Sequence, residues 1–95
     1  MDIPALAQRF RDHDCHGIAA YLEFLVPLKE EDRTVLFKIT LVNCAGMEST
    51  IDDPFEFFAT MLTVQERKRP FKDAGVVLLE YACNSVSGWW IDSGV

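Results

Sequence analysis

The densest run of chemically capable side chains is Asp12-His13-Asp14-Cys15-His16, consecutive residues whose types suit metal ligation or proton transfer. His13 and His16 are close enough in sequence to share a helical face, and Cys15 could add a soft sulfur ligand. A structural zinc site needs four ligands, however, and the remaining cysteines, Cys44 and Cys83, have no His or Cys beside them. The simpler reading leaves Asp12 and Asp14 solvated and both imidazoles near a helix C-terminus, where a cation complements the dipole. No metal is expected. The same types permit a Cys15 nucleophile activated by His13 or His16, because a neighbouring imidazolium lowers a thiol pKa. That arrangement lacks an orienting group and an oxyanion site, and a thiol at a helix C-terminus meets the unfavourable end of the dipole.

Other candidates have structural explanations. Asp52-Asp53 precede Pro54 and read as capping and dipole residues rather than paired acid-base carboxylates. Arg67-Lys68-Arg69 falls where a helix should end and cations are favoured. Glu30-Glu31-Asp32 reads as a solvated turn. No glycine-rich phosphate loop, Gly-x-Ser-x-Gly or Cys-x-x-Cys occurs. Neither a catalytic residue nor a cofactor is expected.

The 95 residues suit one domain spanning positions 1–95, and 49% apolar content is ample for a core. Fifteen acidic against nine basic side chains give a net charge of −6, which repels phosphate and argues against nucleic acid. The three cysteines, an odd number and widely spaced, read as buried free thiols. With no apolar stretch near bilayer length and no leader pattern after Met1, the expectation is a cytoplasmic protein without membrane contact.

The elements that position these residues begin with Ile3, Leu6, Ala7 and Phe10, one face of a helix from about Ile3 to Asp14 with Asp2 as cap and Pro4 in its first turn. Gly17 offers a helix stop. Residues 18–27 and 34–44 then pair as an antiparallel hairpin, with Val26 opposite Val35, Phe24 opposite Phe37, Leu22 opposite Ile39 and Ala20 opposite Leu41. The same register places Glu23 beside Lys38, Tyr21 beside Thr40 and Leu25 beside Leu36. The competing reading continues the first helix through Tyr21-Leu22-Glu23-Phe24-Leu25. Asp53-Pro54-Phe55-Glu56 opens a second helix, about Pro54 to Lys68, whose broad face carries Phe55, Phe58, Ala59 and Leu62, widened by Phe57, Met61 and Val64. Pro70 closes it. Val76 to Cys83 reads as a third strand, Asn84-Ser85-Val86-Ser87-Gly88 as a turn, and Trp89-Trp90-Ile91 as a last strand.

The expected fold is therefore α+β, in the order α-β-β-α-β-β: an antiparallel sheet of three to four strands with two helices packed on one face. Strand parity puts Val76, Leu78, Glu80 and Ala82 on the open side of the third strand, with Val77, Leu79, Tyr81 and Cys83 inward. It also separates Trp89 from Trp90, one joining the core and the other the open face. That face, with Tyr21, Leu25, Leu36, Val42, Leu78 and Trp90, has the apolar and aromatic character of a protein-binding surface. The expected function is a non-enzymatic module that forms a homodimer or binds or inhibits a partner protein. The alternative is a small apolar-ligand-binding protein whose pocket, between the second helix and the sheet, is lined by Phe57, Phe58, Met61, Tyr81 and Trp89. A metal- or thiol-dependent enzyme comes third.

Overall fold

A computed structural model describes residues 1–68 and 71–92, and side chains through residue 88. Its elements are α1 (Ile3–Asp12), α2 (His16–Leu25), α3 (Glu30–Ile39) running into a π-helical turn (Thr40–Cys44), α4 (Pro54–Gln65) and α5 (Ala74–Asp92). Every regular element among the described residues is helical, so the expected α+β sheet is replaced by an all-α fold.

Two helices start as their caps dictate. The Asp2 carboxylate accepts from the Ala5 amide at 3.1 Å, and Asp53 accepts from the Phe55 amide at 3.0 Å, each just ahead of a proline in the first turn. α1 ends at His13, and Asp14 takes the left-handed conformation at φ 61°. Aspartate tolerates that conformation better than most residues, and it turns the chain directly into α2.

α2 covers most of the first expected strand. It buries Ile18, Ala19, Tyr21, Leu22 and Leu25, the i, i+1, i+3, i+4, i+7 face of a helix rather than alternate residues. The segment is apolar at nearly every position, so a period of two could be drawn through it as easily as 3.6. α3 and its π turn replace the second strand, burying Phe37, Thr40 and Leu41. Tyr21 and Thr40, paired in the expected hairpin, do meet, but as side chains of packed helices: the phenol donates to Thr40 Oγ1 at 2.9 Å. Thr40 donates in turn to the Leu36 carbonyl at 2.8 Å. A hydroxyl bonded back to the preceding turn bends helices, and here it stands where the α-helix widens into the π turn.

α2 lies between α1 and α5. The α2–α5 approach depends on Gly17, where an added Cβ would lie 2.8 Å from the Glu80 carbonyl oxygen and 2.9 Å from Asn84 Cβ. The glycine expected to stop a helix thus lets two helices touch. The Glu80 carboxylate completes the joint, accepting from the Gly17 amide at 2.7 Å and the Ile18 amide at 2.9 Å. Both are first-turn amides with no partner inside their own helix, and the N-terminal dipole favours the negative charge.

α5 replaces the third and fourth strands. Val76, Leu79, Ala82 and Cys83 face inward, whereas Val77, Leu78 and Tyr81 are exposed, a helical division that corrects the strand parity. Residues 84–88 continue the helix instead of turning. Ser87 is accommodated because its hydroxyl donates to the Cys83 carbonyl at 2.9 Å. Trp89, Trp90 and Ile91 fall within the backbone of α5 rather than on a strand; their side chains lie outside the described residues, as do Arg69 and Pro70.

Phe58 of α4 is the hub of the core. Its ring meets Phe57 at 5.2 Å, Phe10 and Tyr21 at 6.0 Å and Phe37 at 6.1 Å, all at steep interplanar angles. Edge-to-face contacts of this kind add to the roughly 2–3 kcal/mol gained by burying such a ring. Arg33 ties α3 to the end of α2, donating to the Val26 and Leu28 carbonyls, while its guanidinium lies 5.1 Å from the centre of the Phe55 ring. No helix of the described residues is long and apolar enough to cross a membrane.

Candidate functional site

The Asp12–His16 run is dispersed by the α1–α2 turn. His13 stacks on Phe71 with ring centres 3.9 Å apart, and its Nε2 lies 3.3 Å from Glu66 Oε2. Glu66 also pairs with Arg9, and Lys72 donates to the Asp14 carbonyl at 2.8 Å. These contacts fasten the end of α1 to the segment that follows α4. His16 is exposed, 3.8 Å from Asp14. Among the described residues no three His, Cys, Asp or Glu side chains are grouped as metal ligands.

Cys15 is buried at the N-cap of α2, not at a helix C-terminus as expected. A helix N-terminus favours a thiolate, yet burial, reinforced by the nearby Glu80 carboxylate, pushes this thiol up to about 11. Burial likewise pushes Cys83 well above the ordinary thiol range. Desolvation therefore outweighs the dipole at Cys15, and both thiols are held in their unreactive form.

The carboxylates near the start of α4 are committed to structure. Asp52 pairs with Lys38 at 2.8 Å and Asp53 caps the helix. They border a polar cleft of about 430 Å³ together with Glu30, Arg33 and Glu56. Between α1 and α2, Glu23 accepts from Arg11 at 2.5 Å, and that hydrogen bond holds its carboxyl below the usual range.

The residues expected on a partner-binding face divide between core and surface. Tyr21 and Leu25 are fully buried, Leu36 is partly buried, and Val42 and Leu78 are about half exposed; the Trp90 side chain lies outside the described residues. α5 instead presents Val77, Leu78 and Tyr81 on one outward stripe, with Tyr81 72% exposed. Val35, Ile39 and Val42 form a second stripe at i, i+4, i+7 along α3 and the π turn, which rests against α5. Val77, Val35 and Ile39 were missed because strand parity assigned them inward; counting residues 76–83 at helical spacing would have placed Leu78 with Val77 and Tyr81.

The expected ligand-lining residues are similarly split. Phe57 and Met61 line a pocket of about 280 Å³ between α4 and α5, closed by Met47, Gln65, Val76 and Leu79. Phe58 is in the core and Tyr81 points to solvent, while the Trp89 side chain lies outside the described residues. Met47 and Gln65 were not anticipated, although Gln65 follows Phe57 and Met61 at i+8 and i+4 on one face of α4; Met47, beyond the π turn, carries no comparable signal. Comparison with known proteins returned no family model, no curated relative and no solved structure that matches the chain.

Proposed function

We propose that this is a small acidic, non-enzymatic protein-binding module of the cytosol, which docks through the outward stripe of α5. The observation that carries this reading is the grouping of Val77 (49% exposed), Leu78 (45%) and Tyr81 (72%) on one face of a helix whose other face forms the core. Scattered exposed apolar residues are ordinary, but a stripe with an aromatic at its centre has the composition of an interface anchor. The net charge of −6 favours a partner with a basic rim when the partner is a different protein. The protonated state of Cys15 and Cys83 and the structural commitments of His13, Asp52 and Asp53 support a role without catalysis.

Self-association is tested first, by light scattering over a concentration series. The expected result is a dimer that the double substitution Leu78→Glu, Tyr81→Ser converts to a monomer. Exposed positions of this kind usually change stability by only about 0.5 kcal/mol, so the melting temperature should stay nearly constant. A strictly monomeric wild type would reject the homodimer and leave a basic heterologous protein as the partner.

A further inference from the structure

Among the described residues, every α-helix except α5 carries charge on its outward face. α1 exposes Arg9 and Asp12, α2 exposes Glu23, α3 exposes Glu30, Glu31 and Asp32, and α4 exposes Glu56. From Ala74 to Gly88 the exposed residues of α5 are small, apolar or neutral polar, running through Val77, Leu78 and Tyr81 to Asn84 and Ser85. Glu80, the one charged side chain of that stretch, is turned inward onto the Gly17 and Ile18 amides. Two copies of a chain of net charge −6 repel each other, and only charges within roughly 8–10 Å escape screening at ordinary ionic strength. The charge-free face of α5 lets two copies touch with their carboxylates kept apart. A basic protein would instead be met by acidic side chains in its footprint, and this face supplies none.

We propose that the stripe is covered by α5 of a second copy, the two helices antiparallel about a two-fold axis, with Ala74 facing the partner's Tyr81 and Val77 facing the partner's Leu78. This inference rests on docking through α5 and adds the occupant and the register. A two-fold contact is self-complementary, so each of these pairs occurs twice. Ala74 and Gly75 carry nothing larger than a methyl group, and the first turn of α5 therefore leaves room for the partner's Tyr81 ring. Large side chains set against small ones are how facing helices interdigitate. A parallel pair would stack Tyr81 on the partner's Tyr81 and gather both Asp73 carboxylates at one end, whereas the antiparallel pair separates them and opposes the helix dipoles. An antiparallel pair centred on Tyr81 would set Leu78 against the partner's Asn84, an apolar side chain against a polar one.

Salt gives the first readout on the unmodified protein. Light scattering should yield a dimer dissociation constant on the order of 100 µM, as suits a contact of one helix on another. That constant should fall about threefold or more between about 20 mM and about 300 mM sodium chloride, because screening relieves the repulsion between copies and leaves an uncharged contact intact. Dissociation promoted by salt would overturn the charge-free contact. A mixture of ¹³C-labelled and unlabelled chains then reads the register, through nuclear Overhauser effects filtered for contacts between copies. Tyr81 ring protons should reach the Ala74 methyl, although the two residues lie about 10 Å apart along one helix, and Val77 methyls should reach those of Leu78. Contact of Tyr81 with the partner's Tyr81 in place of Ala74 would overturn the register and leave docking through α5 standing. A dimer whose contacts lie wholly outside α5 would overturn both. A chain that stays monomeric to about 1 mM would overturn the second copy as occupant while leaving the stripe to a heterologous protein.

Discussion

Cys15, Cys44 and Cys83 are the same side chain in different surroundings, and their reactivity should separate accordingly. Cys44 is exposed, whereas Cys15 and Cys83 are buried with their thiols pushed up by desolvation. An aromatic disulfide reagent at about pH 8 should modify Cys44 rapidly in the folded protein and the other two roughly a hundredfold more slowly, all three becoming equal on denaturation. Rapid native modification of Cys15, followed by peptide mapping, would contradict the buried N-cap position. Sequence spacing suggested buried thiols but treated Cys44 like the others. Its position on a π turn rather than a strand is what exposes it.

At the level of elements, the α2–α5 joint shows a local preference yielding to packing. Alanine is about 1 kcal/mol better than glycine inside a helix. At Gly17, however, the new Cβ would press against the Glu80 backbone and Asn84 Cβ, atoms that cannot swing aside. Overpacking commonly costs about 1–3 kcal/mol, so Gly17→Ala should be destabilising on balance, as measured by urea denaturation. A stabilised variant would show that the helices are farther apart than described. The helices beginning at Ile3 and Pro54 were legible because aspartate caps and prolines mark their starts. α2 and α3 were not: α2 has no side-chain cap hydrogen bond at its N-cap Cys15, and its apolar run satisfies two periodicities. The amides that a local cap would have served are met by Glu80, distant in sequence.

For the whole molecule, stability should fall on the alkaline side. Burial raises the folded-state values of Cys15, Cys83 and Tyr21, so these groups keep protons that the unfolded chain gives up. The folded form then binds more protons than the unfolded one, and unfolding free energy decreases as pH rises. The stabilisation is fully present below about pH 8.5, where an unfolded thiol remains protonated, and the Cys15 contribution is lost progressively toward about 11. Each such group contributes a slope on the order of 1 kcal/mol per pH unit within its window. Chemical denaturation at a series of pH values from neutrality to about 10.5 should show the decline, and Cys15→Ala should reduce its slope. A flat profile would mean that the thiols titrate normally and are not desolvated.

The amino-acid sequence by itself determined the capped helix starts, the abundance of core-forming aromatics and the absence of recognisable catalytic motifs, because composition and short-range hydrogen bonding are local properties. Tertiary structure decided the rest. Leu78 and Tyr81 could be assigned to opposite sides or to one side depending only on whether the backbone advances by a strand or a helix. Helix packing settled that choice. Gly17 and Glu80, separated along the chain, bring α2 against α5, and the helical course of α5 both exposes Val77, Leu78 and Tyr81 together and sets Val76 and Leu79 against the α4 pocket. Those relations arise between elements, where apolar residues on nearly every position of a segment leave its period ambiguous until a neighbour selects the buried face.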